Sequence, residues 1–358
     1  MLDFGQPSPF RPKRRHFPAR QREHRPGRGR IDAVSIVDDP SRRTDPIRTV
    51  DIVIAAYNAA ATIGETIKSA LAQPETASVI VVDDSSRDDT VAVATARDDG
   101  TGRLQVLRQD RNGGPSRARN RGIAVCSAPW FTVLDADDVF LPGRLAALLQ
   151  HADEADLIAD DLLVRDEGAA ETRPMFFPPV DRPQALDAAA FINGNISHGA
   201  KGRRDLGFIK PLIRRELLVR HAVRFDDALW LGEDYELYTR ALLLGGRLLL
   251  VPAAGYVYTV RPTSLSGEHT IDALRMLRDC DQGLATIPGL TTAQRKALDD
   301  HYQSVDRRLQ WRLLIEAVKR RDAKAAVATF SRSGAVSVFL VGMLLQEAVR
   351  RVRLALPS

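Results

Sequence analysis

The sequence predicts an α/β fold built on a doubly wound, mostly parallel sheet, and three observations carry that prediction. Val50 to Ala56 and Ser78 to Val82 are apolar runs rich in β-branched residues, as strands buried on both faces are. Between them, Thr62-Ile63-Gly64-Glu65 has the form of a capping box, opening a helix with Ile63, Ile67, Ala70 and Leu71 on one face. Each run ends in polar residues, Tyr57-Asn58 after the first and Asp83-Asp84-Ser85-Ser86 after the second. In an open α/β sheet ligands bind at the carboxyl ends of the strands, so these residues are expected to converge on one crevice.

The alternation continues to Asp160. A helix from about Asp88 to Arg97 leads to the strand Leu104 to Leu107, and Gly113-Gly114-Pro115 starts a helix from Ser116 to Ala124. The strand Trp130 to Leu134 then stops on Asp135-Ala136-Asp137-Asp138. Three carboxylates within four residues repel one another unless solvent or a cation relieves them. A hard divalent cation takes oxygen ligands and is commonly shared between one or two carboxylates and a substrate phosphate, which points to a phosphorylated or nucleotide substrate. The same four residues also read as a turn with helix-capping aspartates, since Leu141-Pro142-Gly143 follows.

Beyond Asp160 the pattern changes. Arg165 to Gln184 reads as loop or hairpin, and Asn193 to Gly199 is a polar segment whose His198 has no second histidine at metal-ligand spacing. Arg247 to Val251 and Gly255 to Val260 read as strands, and Glu233-Asp234 opens a helix running to Leu244. Arg261 to Ser266 is a candidate mobile loop. Thr292 to Lys319 carries a helical apolar face. Ser333 to Val352 joins the apolar run Gly334 to Leu345 to Arg350, Arg351 and Arg353. That run is shorter than the ~20 apolar residues that span a bilayer, and suits an interfacial helix or one packed on the core.

Composition sets the domain plan. Of 358 residues, 44% are hydrophobic and 27% charged, ordinary values for a globular protein. The net charge of +5 is uneven, with 12 Lys/Arg against 6 Asp/Glu in residues 1–48 and 39 against 40 in the rest. The arm is too poor in apolar residues to fold alone, and its charge suits a solvated extension or anionic lipid headgroups better than a dedicated nucleic-acid site. A core domain is expected over residues 49–267, divided at 160 into a nucleotide half and an acceptor half, with a helical region over 268–358. Cys126 and Cys280 lie far apart and read as reduced thiols, and the start Met1 to Pro7 has no signal-like apolar core. A cytoplasmic location, peripheral at the inner membrane, is expected.

Five ordered motifs add a resemblance. Ile54-Ala55-Ala56-Tyr57-Asn58, Val81-Val82-Asp83-Asp84-Ser85-Ser86, Asn112-Gly113-Gly114 with Ala118-Arg119-Asn120-Arg121-Gly122, Leu134-Asp135-Ala136-Asp137-Asp138 and Gly232-Glu233-Asp234 resemble those of family 2 glycosyltransferases of the GT-A fold. The likeness spans about Val50 to Ser266. Within the family it is similar to bacterial exopolysaccharide glucosyltransferases of the succinoglycan type, whose acceptor-side strand Gly207 to Ile213 resembles. The resemblance implies a UDP-sugar donor, a lipid-linked oligosaccharide or glycan acceptor, Mg2+ or Mn2+, and inversion at the anomeric carbon. It places Tyr57 and Asp84 at the uracil and Arg119 on the diphosphate, with Ala56, Asn58, Gly114 and Ala136 among the substrate-binding residues. Asp135 would face the ribose and sugar, with the metal on Asp137 and Asp138 directly or through water. Asp234 would be the general base with Glu233 beside it. Apart from the resemblance, closure of the candidate loop on a donor would bring Arg261 to the diphosphate.

Two other classes compete. Phe131 to Val139 also matches the nucleophile strand of haloacid-dehalogenase-like phosphohydrolases, in which Asp135 would be phosphorylated and Asp137 would be the acid/base. That motif belongs near the first strand of its domain, whereas three strands precede it here. The alternative of a non-catalytic nucleotide- or glycan-binding module is disfavoured by the presence of Asp234 and the acidic motif.

Overall fold

The computed structural model describes residues 48–196, 205–261 and 270–355. The basic arm before residue 48, His198 and residues 262–266 of the candidate loop lie outside the described residues. The expected alternation is present as β1 (Val50–Ala56), α1 (Ile63–Leu71), β2 (Thr76–Asp83), α2 (Thr90–Thr95), β3 (Leu104–Arg108), α3 (Pro115–Ile123) and β4 (Trp130–Val133). Helix α1 keeps its apolar stripe against the sheet, but Thr62 makes no capping bond. Its hydroxyl instead donates to the carbonyl of Ala136 at 2.8 Å, and Thr66 adds a second donor at 3.1 Å. The polar start of α1 thus secures the acidic motif rather than its own helix.

The chain continues through β5 (Val139–Phe140), α4 (Arg144–Leu149), β6 (Leu157–Asp160), β7 (Leu163–Asp166), β8 (Arg173–Pro174), β9 (Gln184–Leu186) and α5 (Ala188–Gly194). It then forms β10 (Leu212–Arg214), α6 (Arg215–Arg220), α7 (Glu233–Leu243), β11 (Leu248–Val251) and β12 (Tyr256–Val260). The main sheet runs β3-β2-β1-β4-β10-β6-β11-β9. Pairs β3–β2, β2–β1, β1–β4 and β6–β11 are parallel, while β10 lies antiparallel to both neighbours and β9 antiparallel to β11. This is the GT-A arrangement of a mostly parallel sheet flanked by helices. A small second sheet, β5-β12-β7-β8, includes the antiparallel pair β7–β8, in the stretch expected as loop or hairpin.

Helices cover the sheet closely. A Cβ on Gly122 of α3 would lie 2.5 Å from Val53 of β1, so this helix reaches its depth only with glycine there. The C-terminal helices are α8 (Ile271–Leu284), α9 (Thr292–Lys319), α10 (Ala323–Phe330) and α11 (Gly334–Ala355). Leu274 and Leu277 of α8 and Ala297, Leu298, Val305 and Leu309 of α9 share one buried cluster with Val53, Phe131 and Tyr238. Val336 and Leu340 of α11 instead join a smaller cluster on Leu314 of α9. Among the described residues no single helix is long and apolar enough to cross a membrane; α10 and residues 334–349 pass that test only together, bent by 119°.

Candidate active site

Strand β4 ends on Val133; the next residue, Leu134, still donates its N–H to Val53 of β1, and the chain then leaves the sheet through the acidic motif. The motif meets the N-terminus of α7 through two buried cations. Arg119 of α3 donates Nη2 to Asp135 Oδ1 at 2.9 Å, and Nη1 to Glu233 Oε1 at 2.7 Å and Asp234 Oδ1 at 3.3 Å. Lys210, just before β10, donates Nζ to Asp234 Oδ2 at 2.5 Å and lies 3.1 Å from Asp135 Oδ2. Three carboxylates therefore share two cations. Burial disfavours the charged form of Asp135, but Lys210 and Arg119 outweigh it and hold its carboxyl down to about 2. Burial likewise opposes the ammonium of Lys210, and Asp135 and Asp234 push it well above the ordinary lysine range.

Arg119, expected on the diphosphate, is 5% exposed, with its terminal nitrogens on carboxylates and its plane over Phe225. A planar fork with permanent charge suits that bridging position as well as a phosphate.

The ends of β1 and β2 form the adjoining wall. Asp84, expected to accept from uracil, is 3% exposed and receives Gly113 N–H and Gly114 N–H at 2.8 Å each, plus the Gln109 amide at 2.6 Å. It fixes the glycine turn that starts α3. Gly114 has φ +84, and a Cβ there would also press on the Trp230 ring at 3.3 Å. Ala56 accepts from Asp84 N–H, Asn58 donates its N–H to Ser86 and accepts from Arg87 N–H, and the Tyr57 side chain is left exposed. An exposed aromatic on a turn tied at both ends is suited to stacking on a planar ring.

The two aspartates expected to carry the metal have different surroundings. Asp138 is fully buried, its Oδ2 accepting from the Tyr256 hydroxyl and its Oδ1 from Thr259 N–H, both at 2.9 Å. Its oxygens fasten β12 under the motif. Asp137 has a side chain 41% exposed, with one oxygen 2.6 Å from Arg261 Nη1. Burial and the Asp135 charge both push its carboxyl upward, Arg261 only partly compensating. Partly compensated negative charge on a half-exposed carboxylate fits a hard cation shared with phosphate oxygens and water, and the described residues contain no closed cluster of three ligands. Arg261 sits between Asp137 and Glu167.

Three contributors escaped sequence reading. Lys210 lies in a stretch noted only as a strand, although a lone lysine within Phe208-Ile209-Lys210-Pro211-Leu212-Ile213 requires a buried carboxylate if that run is core. Tyr256 carries no local signal of its role. Asp160, the end of the alternating pattern, pairs with buried Arg144 at 2.8 Å and accepts three backbone N–H groups from Ala254, Gly255 and Tyr256. That anchor delivers the Tyr256 hydroxyl to both Asp138 and Asp135 N–H.

With this geometry in place, comparison with known proteins is decisive. Residues 51–206 match the model described as Glycosyl transferase family 2. The chain is 40% identical over 307 residues to the succinoglycan biosynthesis protein ExoU of Rhizobium meliloti (strain 1021), covering 85% of this chain and 89% of that protein. The chain belongs to glycosyltransferase family 2. The succinoglycan biosynthesis protein ExoO of the same organism is a further relative, 34% identical over 80% of this chain and 82% of its own. Fold similarity extends to the mannosyltransferase PcManGT of Pyrobaculum calidifontis, with TM-score 0.56 and 18% identity over 86% of this chain and 82% of that one. Residues 1–349 of TarS from S. aureus give TM-score 0.54 and 18% identity over 78% and 90%. Membership of this family displaces the phosphohydrolase reading of Asp135 and Asp137.

Proposed function

We propose that this glycosyltransferase moves a hexose, glucose by preference, from a UDP-sugar to a lipid-linked exopolysaccharide intermediate, with inversion at the anomeric carbon. The observation that carries the reading is the meeting of Asp234 at the start of α7 with Asp135 at the end of β4 through Lys210 and Arg119. Residues far apart in sequence are thereby set on one crevice, with Asp137 beside them. In this reading Tyr57 stacks on the uracil and Asp84 holds the glycine turn at which the nucleotide lies. Asp137 would hold Mg2+ or Mn2+, which would supply charge neutralisation for the leaving UDP. Asp234 takes the proton of the attacking hydroxyl, Lys210 and Arg119 fixing its orientation, while Glu233 braces Arg119. Arg261 is positioned to exchange Asp137 for diphosphate oxygens as donor arrives.

The exopolysaccharide acceptor is inferred by likeness to the succinoglycan biosynthesis proteins, and glucose and the UDP group from the motif resemblance to glucosyltransferases of that type. Peripheral membrane binding at a cytoplasmic face is inferred from α11. Val338, Val341, Leu345 and Val349 are exposed at helical spacing, and three arginines follow in the sequence. UDP release from a panel of UDP-sugars, with Mn2+ or Mg2+ and then with a chelator, tests the activity. Metal-dependent turnover of UDP-glucose is expected; phosphate release from small phosphoesters without UDP-sugar turnover would contradict it.

A further inference from the structure

Trp230, four residues before the proposed base Asp234, is 59% exposed, and the proposed reaction gives it no task. A single exposed apolar side chain is ordinary on a protein surface, so its setting decides whether it matters. Three observations show an indole held in place. Its segment is fastened to the first turns of α3: Ser116 Oγ donates to the Leu229 carbonyl at 3.1 Å, and the Asn120 amide both donates to the Phe225 carbonyl at 2.8 Å and accepts from Phe225 N–H at 2.9 Å. The six-membered half of the indole lies flat on the glycine turn. A Cβ on Gly114 would meet its Cζ2, Cη2 and Cε2 at 3.3, 3.4 and 3.5 Å, three consecutive ring atoms at nearly one distance. On the other side Gly232 turns the chain with φ +75, and a Cβ there would strike Leu277 at 2.4 Å, so packing also fixes the link from Trp230 into α7.

Position gives the ring a use. Gly114 stands at the N-terminus of α3, and Arg119, which holds Asp234, lies five residues on, about 7.5 Å along the helix axis. The indole and the proposed base therefore border the crevice at neighbouring points, one against the glycine turn and the other beside the acidic motif. The sugar ring that carries a hydroxyl to Asp234 comes within reach of that indole. A pyranose has an apolar face of C–H groups and a rim of hydroxyls. A broad, rigid aromatic face suits the first, and the carboxylate suits the second.

We propose that Trp230 is the stacking platform for the terminal hexose of the acceptor, its open face taking the apolar face of the pyranose while the attacking hydroxyl points to Asp234. The inference rests on the proposed transfer and supplies its acceptor contact, Tyr57 remaining with the uracil.

The chain has three tryptophans, so fluorine NMR of the full-length protein labelled with fluorotryptophan reads each one separately. Trp130 is fully buried and serves as an internal reference, and the spectrum of Trp230→Phe assigns the Trp230 line. Titration with octyl β-D-glucopyranoside below its micelle concentration should shift the Trp230 line saturably and leave Trp130 in place, whereas 1-octanol should shift neither. In Trp230→Ala the calorimetric affinity for the glucoside should fall at least tenfold, as loss of an aromatic anchor does, with UDP affinity kept within about twofold. Trp230→Phe, which keeps an aromatic face, should retain glucoside affinity within about threefold. No saturable shift, an equal shift with octanol, or weakened UDP binding with glucoside binding intact in Trp230→Ala would overturn the proposal. Because the titration needs no turnover, a wild-type protein inactive on UDP-glucose would count against the proposed reaction and leave this contact to be judged by the NMR result.

Discussion

Lys210 Nζ lies 2.5 Å from Asp234 Oδ2 and 3.1 Å from Asp135 Oδ2, so one buried ammonium joins the strand-end acidic motif to the proposed base. Removing one member of a buried, hydrogen-bonded charge set leaves its partners uncompensated, at a cost of roughly 3–5 kcal/mol. Lys210→Met should therefore lower stability by about that amount in urea unfolding. Adding Asp234→Asn should recover part of the loss, because it removes one of the stranded carboxylates. A Lys210→Met protein as stable as wild type would contradict the bridging role.

Asp137 and Asp138 should separate in mutagenesis. Asp137→Asn should weaken Mn2+-dependent UDP binding at least tenfold with little change in thermal stability, since its side chain is half-exposed. Asp138→Asn should instead lower the melting temperature, because both buried oxygens hold β12. Calorimetric titration with UDP and Mn2+, paired with thermal melts, distinguishes the two. The reverse pattern would move the metal to Asp138.

Asp156 gives a pH dependence remote from the crevice. Burial raises its carboxyl, but hydrogen bonds and charge from Arg247, with Arg214, outweigh this and leave it below the ordinary range. A folded-state value below the unfolded one means stabilisation present above the unfolded value near pH 4 and lost as pH falls through the folded value. Asp156→Asn should cost about 1 kcal/mol at pH 7, and the difference from wild type should shrink steadily below pH 4. Urea unfolding across that range measures it, and a pH-independent difference would refute the assignment.

Much of this site was legible because strand periodicity and strand-end polarity act locally. Val50 to Ala56 and Trp130 to Leu134 declare themselves as buried strands, so Tyr57, Asp84 and Asp135 follow as edge residues on one side. What was not legible depends on pairing across the chain. Nothing beside Arg119 reveals that Asp135, Glu233 and Asp234 will surround it, and nothing beside Thr62 shows that its hydroxyl prefers the carbonyl of Ala136 to a cap. Asp137 and Asp138 look equivalent in sequence; they differ because Tyr256 and Thr259, more than a hundred residues on, claim only the second.

The C-terminal helices should divide functionally at Ser333. Helices α8 and α9 share the main core, whereas α11 adds only a small cluster on Leu314. Truncation before Ser333 should leave UDP binding intact and release the protein from anionic vesicles in a flotation assay. Deletion of residues 1–48 should reduce vesicle binding only at low salt, where exposed charges are unscreened. Loss of UDP binding on truncation would make α11 a structural helix and remove the membrane assignment.

In the proposed reaction Asp234 acts as base in the transition state while Asp137 and its neighbours hold the donor. Parallel measurement of UDP affinity and UDP-glucose turnover in Asp234→Asn, with Mn2+ present, tests it most directly. Donor affinity within about threefold of wild type, with turnover reduced by roughly 10²–10⁴-fold, is the expected result. Weakened UDP binding with wild-type turnover at saturating donor would contradict the account and make Asp234 a donor-binding residue.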